Sequence, residues 1–166
     1  MRHIILDVET TGVSTSTGHR IIEIALLEMI DHKLTDNNLV LRFNPERDIP
    51  EEVTAIHGIT MDDLVDCPVF GDHSDEIVDF IADSSIIAHN ANFDMRFLNS
   101  ELVRCNLPKL SNEVICTMVM AKATVKDTKY NLNALCDRFE INREERELHG
   151  ALIDCQLCAE LYLKLL

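Results

Sequence analysis

Five residues with side chains that bind metals or transfer protons stand in three short islands of the sequence: Asp7, Glu9, Asp94, His149 and Asp154. Asp7 and Glu9 follow a short apolar run that reads as a buried strand. Side chains at positions i and i+2 of a strand point to the same face, so both carboxylates are directed at one place. Asp94 and Asp154 lie among apolar residues, where an unpaired charge is costly to bury. The four acids therefore predict a shared site.

A cluster of carboxylates requires cations, and oxygen ligands of this kind suit Mg²⁺ or Mn²⁺. Two such ions stabilise both the entering and the departing oxygen of an in-line displacement at phosphorus. The pattern therefore predicts a two-metal site that cleaves phosphodiesters. His149 stands just before a predicted helix, and its imidazole suits a proton acceptor near neutral pH. A helix cap is the alternative for His149, although His is a poor cap.

The predicted elements alternate between strands and helices, which indicates an α/β fold around a mixed sheet. A length of 166 residues fits one domain spanning residues 1–166. Asp7 and Glu9 then lie at the carboxyl end of a central strand, where ligands usually bind. The predicted strands are 3–8, 21–30, 39–43, 85–88 and 114–116, with a turn at 35–38, and the predicted helices are 50–57, one around Ile77–Ile81, 91–105, 117–124, 131–139 and 150–165.

Each island also has a plainer interpretation when it is taken alone. Asp7 and Glu9 could be exposed acids on an edge strand, and Asp94 could simply favour the dipole of a helix by lying in its first turn. Asn90 could be a helix cap, and for His89 a hydrogen-bonded core histidine is the preferred interpretation. The three islands together are more specific than any one of them.

The net charge of −14 is unusual for a protein that binds nucleic acid. The charge is uneven, however, because residues 104–138 carry six basic and three acidic side chains. Guiding a nucleic-acid strand and forming ordinary solvated helix faces are equally good interpretations of that stretch. Bound divalent ions would reverse the potential at the site itself. The net charge therefore does not exclude a nucleic-acid substrate.

The sequence has no signal peptide and no apolar run long enough to span a bilayer, so we expect a cytoplasmic protein without membrane contact. Six cysteines lie mostly among apolar neighbours and are expected to be small buried side chains. Cys155 and Cys158 form a C-x-x-C pair, but one such pair without further ligands is weak evidence for a zinc or redox module.

Residues 7–12, 89–94 and 149–154 resemble the three motifs of the DEDDh exonuclease family, and the similarity extends over the whole chain. The resemblance implies a ribonuclease H-like fold with a five-stranded mixed sheet flanked by helices on both faces. It also implies two divalent ions, Mg²⁺ or Mn²⁺. The expected activity is 3′→5′ hydrolysis of single-stranded or mismatched DNA ends, which releases 5′-mononucleotides and proofreads DNA during replication.

The resemblance assigns a role to each residue of the islands. Asp7 would bridge both metal ions, while Glu9 and Asp154 would hold the ion that binds the attacking water. Asp94 would hold the second ion, on the side of the leaving group. His149 would deprotonate the water.

The resemblance also implies a pocket for the terminal nucleotide. Thr10 and Glu9 would receive the 3′-hydroxyl, and Asn90 would lie near the phosphate. Ile56, His57 and Phe93 would line the pocket, with plain core packing as the alternative for Ile56 and Phe93.

The expected partners are a DNA 3′ end and the catalytic subunit of a replicative polymerase. The family's polymerase-binding tail would follow the last helix and is not in this sequence, and the isolated domain is expected to be a monomer. An exoribonuclease or oligoribonuclease of the same family is the alternative function, because one sequence does not reveal whether a 2′-hydroxyl is tolerated. A non-catalytic scaffold is disfavoured because all five catalytic positions are intact.

Overall fold

The computed structural model describes residues 1–126 and 129–166, and a five-stranded mixed sheet runs through its centre. Its strands are β1 (Arg2–Thr10), β2 (Ile21–Ile30), β3 (Lys33–Arg42), β4 (Ser85–Ala88) and β5 (Val114–Cys116). The strand order is β3-β2-β1-β4-β5, so β1 is the central strand, as predicted. β2 pairs antiparallel with β1 and β3, whereas β4 pairs parallel with β1 and β5.

The helices cover the two faces of the sheet, and the alternation along β1 explains how. Ile4 and Leu6 point to one face and belong to a core cluster shared with Phe97 and Leu98 of α4. Ile5 points to the other face and packs in a cluster that includes several residues of α7. The α/β class with helices on both faces is thus confirmed. The helices are α1 (Glu51–His57), α2 (Met61–Leu64), α3 (Ser74–Ile81), α4 (Ala91–Arg104), α5 (Thr117–Thr124), α6 (Leu132–Arg138) and α7 (Ala151–Leu165).

The predicted turn at residues 35–38 is wrong, because those residues lie within β3. The chain reverses instead at Asp31 and His32, which have positive φ angles of 47° and 66°. Ile30 and Lys33 pair directly on either side, which makes this a two-residue hairpin turn. Asp31 is a common turn residue, but His32 stands where a glycine usually completes such a turn, so the local pattern did not reveal it.

The predicted strand 39–43 begins six residues earlier, at Lys33, because it includes the predicted turn. The other predicted elements are present with ends shifted by at most a few residues. β2, β4, β5 and α5 have the predicted bounds. α1 begins at Glu51 rather than Pro50, because Pro50 is the capping residue and its carbonyl accepts the first helical hydrogen bonds. Two short 3₁₀ turns, Thr15–Thr17 and Phe70–His73, were not predicted.

All six cysteines are free thiols. Cys136, Cys155 and Cys158 are buried as expected, whereas Cys67, Cys105 and Cys116 are only partly buried. Burial raises the pKa of the Cys136 thiol to about 11 and also raises the pKa of the Cys155 and Cys158 thiols. These three thiols therefore stay protonated at neutral pH. Within the described ranges, every helix is too short or too polar to cross a membrane.

Candidate active site

The four carboxylates meet at the carboxyl end of β1. Asp7 and Glu9 point to the face of the sheet that α7 covers, on the same side as Ile5. Asp94 lies in the first turn of α4 and is buried, and its Oδ1 accepts a hydrogen bond from the backbone N–H of Val8 at 3.0 Å. This bond connects the first turn of α4 to β1 at Val8, the residue between Asp7 and Glu9.

The fourth carboxylate, Asp154, is buried in the first turn of α7. Glu9, His149 and Asp154 each offer a ligand atom, and these three atoms lie within 4.8 Å of one another. The structure therefore brings together residues from the first and the third sequence island. Asp94, from the second island, is held beside these residues by its hydrogen bond from the Val8 N–H of β1.

His149 lies at the edge of this cluster, with its side chain about half exposed. Its Nδ1 is 4.0 Å from Oδ2 of Asp154, and its backbone N–H donates to the carbonyl of Ile56 at 3.0 Å. Gly150, not His149, is the capping residue of α7, so the helix-cap alternative finds no support. The backbone at His149 is held while its side chain stays accessible.

Burial and mutual repulsion dominate the electrostatics of the acids. Burial raises the pKa of Asp7 well above its usual range, and the charges of Asp94, Glu9 and Asp154 raise it further. Burial, with the charge of Asp154, raises the pKa of Glu9 to about 8, and burial raises the pKa of Asp94 to about 8. Such shifts mark a site that holds too much negative charge for the protein alone to balance.

The donor set fits divalent cations. Oδ2 of Asp7 is inaccessible to solvent, yet it has no hydrogen-bond partner among the described residues. A buried carboxylate oxygen without a partner is costly unless a cation or a proton satisfies it. The four carboxylates are oxygen ligands suited to Mg²⁺ or Mn²⁺.

One functional candidate, Arg146, was missed by the sequence analysis. Its Nε and Nη2 donate to Oδ1 and Oδ2 of Asp154 at 2.6 and 2.7 Å, and its Nη1 donates to Oδ1 of Asn133 at 2.6 Å. Its positive charge lowers the pKa of both Asp7 and Glu9. Arg146 belongs to a charged surface-like stretch, residues 143–147, and nothing in that pattern distinguishes it from its neighbours.

A cavity of about 440 Å³ opens over the carboxylates. Four of the ten predicted site residues line it: Asp7, Asn90, His149 and Asp154. The remaining lining residues are His89, Met118, Asn131, Leu132, Asn133 and Arg146.

Thr10 and His57 lie beside the cluster and hold each other. The backbone N–H of Ile59 donates to Nδ1 of His57, so the ring carries its proton on Nε2 and donates it to the carbonyl of Thr10 at 3.2 Å. Burial lowers the pKa of His57, in agreement with a neutral ring. His57 thus fixes the backbone where β1 ends, next to Glu9.

The other predicted pocket residues are accessible to different degrees. Ile56 is exposed at the end of α1. Phe93 is half-buried, and its ring lies 4.9 Å from the Phe97 ring at a tilt of 43°. Asn90 is the residue before α4, has a positive φ of 60°, and makes no capping hydrogen bond with its side chain. Its exposed amide is therefore free of a capping role.

His89 and Glu23 lie near the site, and their side chains are engaged in hydrogen bonds that fix neighbouring elements. Both ring nitrogens of His89 are hydrogen-bonded, to the Thr117 hydroxyl and the Tyr130 carbonyl, as expected for a core histidine. Glu23 of β2 is buried and accepts a hydrogen bond from the backbone N–H of Ala151 at 2.9 Å. Glu23 thereby fixes the first residue of α7, and its role was not predicted.

The sheet order and the acids at its centre define the fold as that of the ribonuclease H-like nucleases, as predicted. The model of the family described as Exonuclease matches residues 4–162. The chain therefore belongs to this exonuclease family, which confirms the predicted enzyme class.

Its relatives include DNA polymerase III epsilon subunits. The subunit of Rickettsia felis is 47% identical over 170 residues, which cover 99% of this chain and 74% of that protein. The subunit of Escherichia coli K12 is 38% identical and is matched over 98% of this chain and 70% of its own length.

Solved structures that resemble this chain are also exonucleases. Exonuclease X in complex with 5′-overhanging duplex DNA is 31% identical, with a TM-score of 0.75 over 98% of this chain and 90% of that one. Escherichia coli exonuclease I in complex with a dA16 oligonucleotide has a TM-score of 0.83 at 15% identity, over 99% of this chain and 40% of that one. The second likeness concerns the fold alone.

Proposed function

We propose that this protein is a metal-dependent 3′→5′ exonuclease that trims single-stranded or mismatched DNA ends and releases 5′-mononucleotides. The observation that carries the proposal is the convergence of Asp7, Glu9, Asp94 and Asp154 at one end of β1, with an unpartnered buried oxygen on Asp7. Membership in the exonuclease family supports the same conclusion.

The four carboxylates would hold two divalent ions, Mg²⁺ or Mn²⁺. When bound, such ions would balance the charge of the acids and stabilise the entering and departing oxygens of the phosphodiester. Asp7 lies close enough to Asp94, Glu9 and Asp154 for all three charges to raise its pKa, and it would contact both ions. Glu9 and Asp154 would share one ion, and Asp94 would hold the other.

His149 would accept the proton of the attacking water. Burial and the nearby Arg146 charge lower the pKa of His149. Its ring is therefore uncharged at neutral pH and can accept a proton. The half-exposed side chain can reach a substrate, while its backbone is held by Ile56. This combination of a held backbone and an accessible ring suits a general base.

The remaining predicted residues would bind the terminal nucleotide. Thr10 would contact the 3′-hydroxyl, held in position by His57, and Asn90 would contact the phosphate from the cavity rim. Ile56 and Phe93 present apolar surface that bases could stack against.

We further propose that the protein proofreads DNA as one domain and one copy beside the catalytic subunit of a DNA polymerase. The names of the relatives from Rickettsia felis and Escherichia coli support this role. DNA replication would place the protein in the cytoplasm.

The decisive experiment supplies Mn²⁺ or Mg²⁺ and compares labelled oligomers: single-stranded DNA, duplex DNA with matched or mismatched 3′ ends, and RNA. We expect 5′-mononucleotides to appear fastest from single-stranded and mismatched DNA, and no product in EDTA. Exclusive action on RNA would favour the exoribonuclease alternative.

The matched variants are Asp154→Asn and Asp137→Asn. The first should abolish hydrolysis without unfolding the protein. Asp137 is an exposed acid that pairs with Arg143, so its variant should keep full activity. Full activity of Asp154→Asn with metal would contradict the proposed site.

A further inference from the structure

We infer that Arg146 is an internal competitor of the divalent ions at Asp154, and that it lowers the affinity of the site for metal. The inference rests on the proposed metal-dependent function and adds a residue that acts against metal binding. It begins from the geometry of the pair: both oxygens of Asp154 accept hydrogen bonds from the Arg146 guanidinium.

The pair leaves little of Asp154 for another cation. A carboxylate oxygen that receives an N–H at 2.6 or 2.7 Å is engaged in a short, charge-assisted bond. Both side chains are nearly inaccessible, at 5% and 6% exposure, so water does not weaken the contact. An ion that takes Asp154 as a ligand therefore competes with these bonds for the electron density of the carboxylate oxygens, and it must also overcome the repulsion of the guanidinium.

The guanidinium is held from a second side, by the Asn133 carbonyl oxygen at 2.6 Å. Asn133 is a neutral acceptor in α6, so Arg146 keeps one partner when it leaves Asp154. The Nη1 group can thus keep its bond to Asn133, and only the Nε and Nη2 groups lose their acceptor, while Asp154 turns towards an ion. This second partner makes the exchange feasible within the folded protein.

Arg146 also connects the metal site with the general base. It belongs to the segment of residues 139–150 between α6 and α7, three positions before His149. The same segment is held on α1 by the His149–Ile56 backbone bond and by Leu148, which lies directly over Gly58. The Arg146–Asp154 contact joins this segment to α7. An ion that releases Arg146 from Asp154 would therefore loosen the segment that carries His149.

The test compares Arg146→Gln with Arg143→Gln. Arg143 makes the same two-pronged contact, with Asp137 at 2.7 and 2.9 Å, but that pair is exposed. Both changes remove one positive charge from the same segment. Only Arg146→Gln removes it from the carboxylate cluster.

Calorimetric titration of EDTA-treated protein with Mn²⁺, without substrate, gives the readout. We expect Arg146→Gln to bind Mn²⁺ about tenfold more tightly than the wild type, and Arg143→Gln to bind it within about twofold of the wild type. Unchanged or weaker binding by Arg146→Gln would overturn the inference, since Arg146 would then support Asp154 as a ligand instead.

A measurement on the wild type covers the case in which Arg146→Gln does not fold. The Nε–H resonance of Arg146, assigned by its loss in Arg146→Lys, should shift and exchange faster with water when Mg²⁺ saturates the site. An unmoved resonance would overturn the inference. Failure of the wild type to bind Mn²⁺ or Mg²⁺ at all would contradict the proposed function itself, and the inference with it.

Discussion

Glu9→Gln should stabilise the protein in the absence of metal while abolishing its activity. Glu9 has a pKa of about 8 in the folded protein, against an ordinary value of 4.5, because it is buried and faces Asp154 and Glu23. Between these two pH values the folded protein binds more protons than the unfolded chain. Its stability therefore falls as the pH rises from about 4.5 to about 8.

The magnitude follows from the difference between the two pKa values. Each pKa unit corresponds to about 1.4 kcal/mol, so the ionised Glu9 costs about 3 kcal/mol at pH 7 and about 5 kcal/mol above pH 8. A buried glutamine amide without a full set of partners costs about 1 kcal/mol of its own. The neighbouring acids also share the repulsion. We therefore expect a net gain of about 2 kcal/mol at pH 8, or about 4–8 °C in Tm.

The assay is urea unfolding followed by circular dichroism, at pH 5 and pH 8, in EDTA. Glu9→Gln should be slightly less stable than the wild type at pH 5 and clearly more stable at pH 8. Glu160→Gln, which changes an exposed acid on α7, is the matched control and should show no such crossover. If the two variants behave alike, the carboxylates do not repel one another as argued. Saturating Mg²⁺ should reverse the order at pH 8.

Three further substitutions test how the site is held. His149→Gln should reduce kcat by about 100-fold or more while Tm stays unchanged; a parallel loss of Mn²⁺ affinity in calorimetry would make His149 a ligand rather than a base. Glu23→Ala removes the acceptor of the Ala151 N–H and should cost about 1–3 kcal/mol in urea unfolding, with reduced kcat; unchanged values of both would contradict its positioning role. Gly58→Ala should cost about 1–2 kcal/mol in stability because the φ of Gly58 is +73°. It should also lower activity, since the new Cβ would lie 2.6 Å from Cδ1 of Leu148, the residue before His149. Full activity would show that Leu148 moves without disturbing His149.

Predictions from the sequence succeeded where the deciding interactions are local. The apolar run of β1 and the i, i+2 spacing of Asp7 and Glu9 define a strand and a face without reference to the rest of the chain. The prediction of the turn between β2 and β3 was wrong because the pairing along both strands, rather than the turn residues, places the reversal at Asp31 and His32.

The sequence by itself determined which residues supply the carboxylates and the imidazole, because strand and helix periodicity and the family motifs depend on chain neighbours. Only the tertiary structure decided how these groups are balanced. It placed Arg146 on Asp154, His57 on the Thr10 carbonyl and the Val8 N–H on Asp94. These contacts join different elements, and their strength comes from the exclusion of water that packing alone produces.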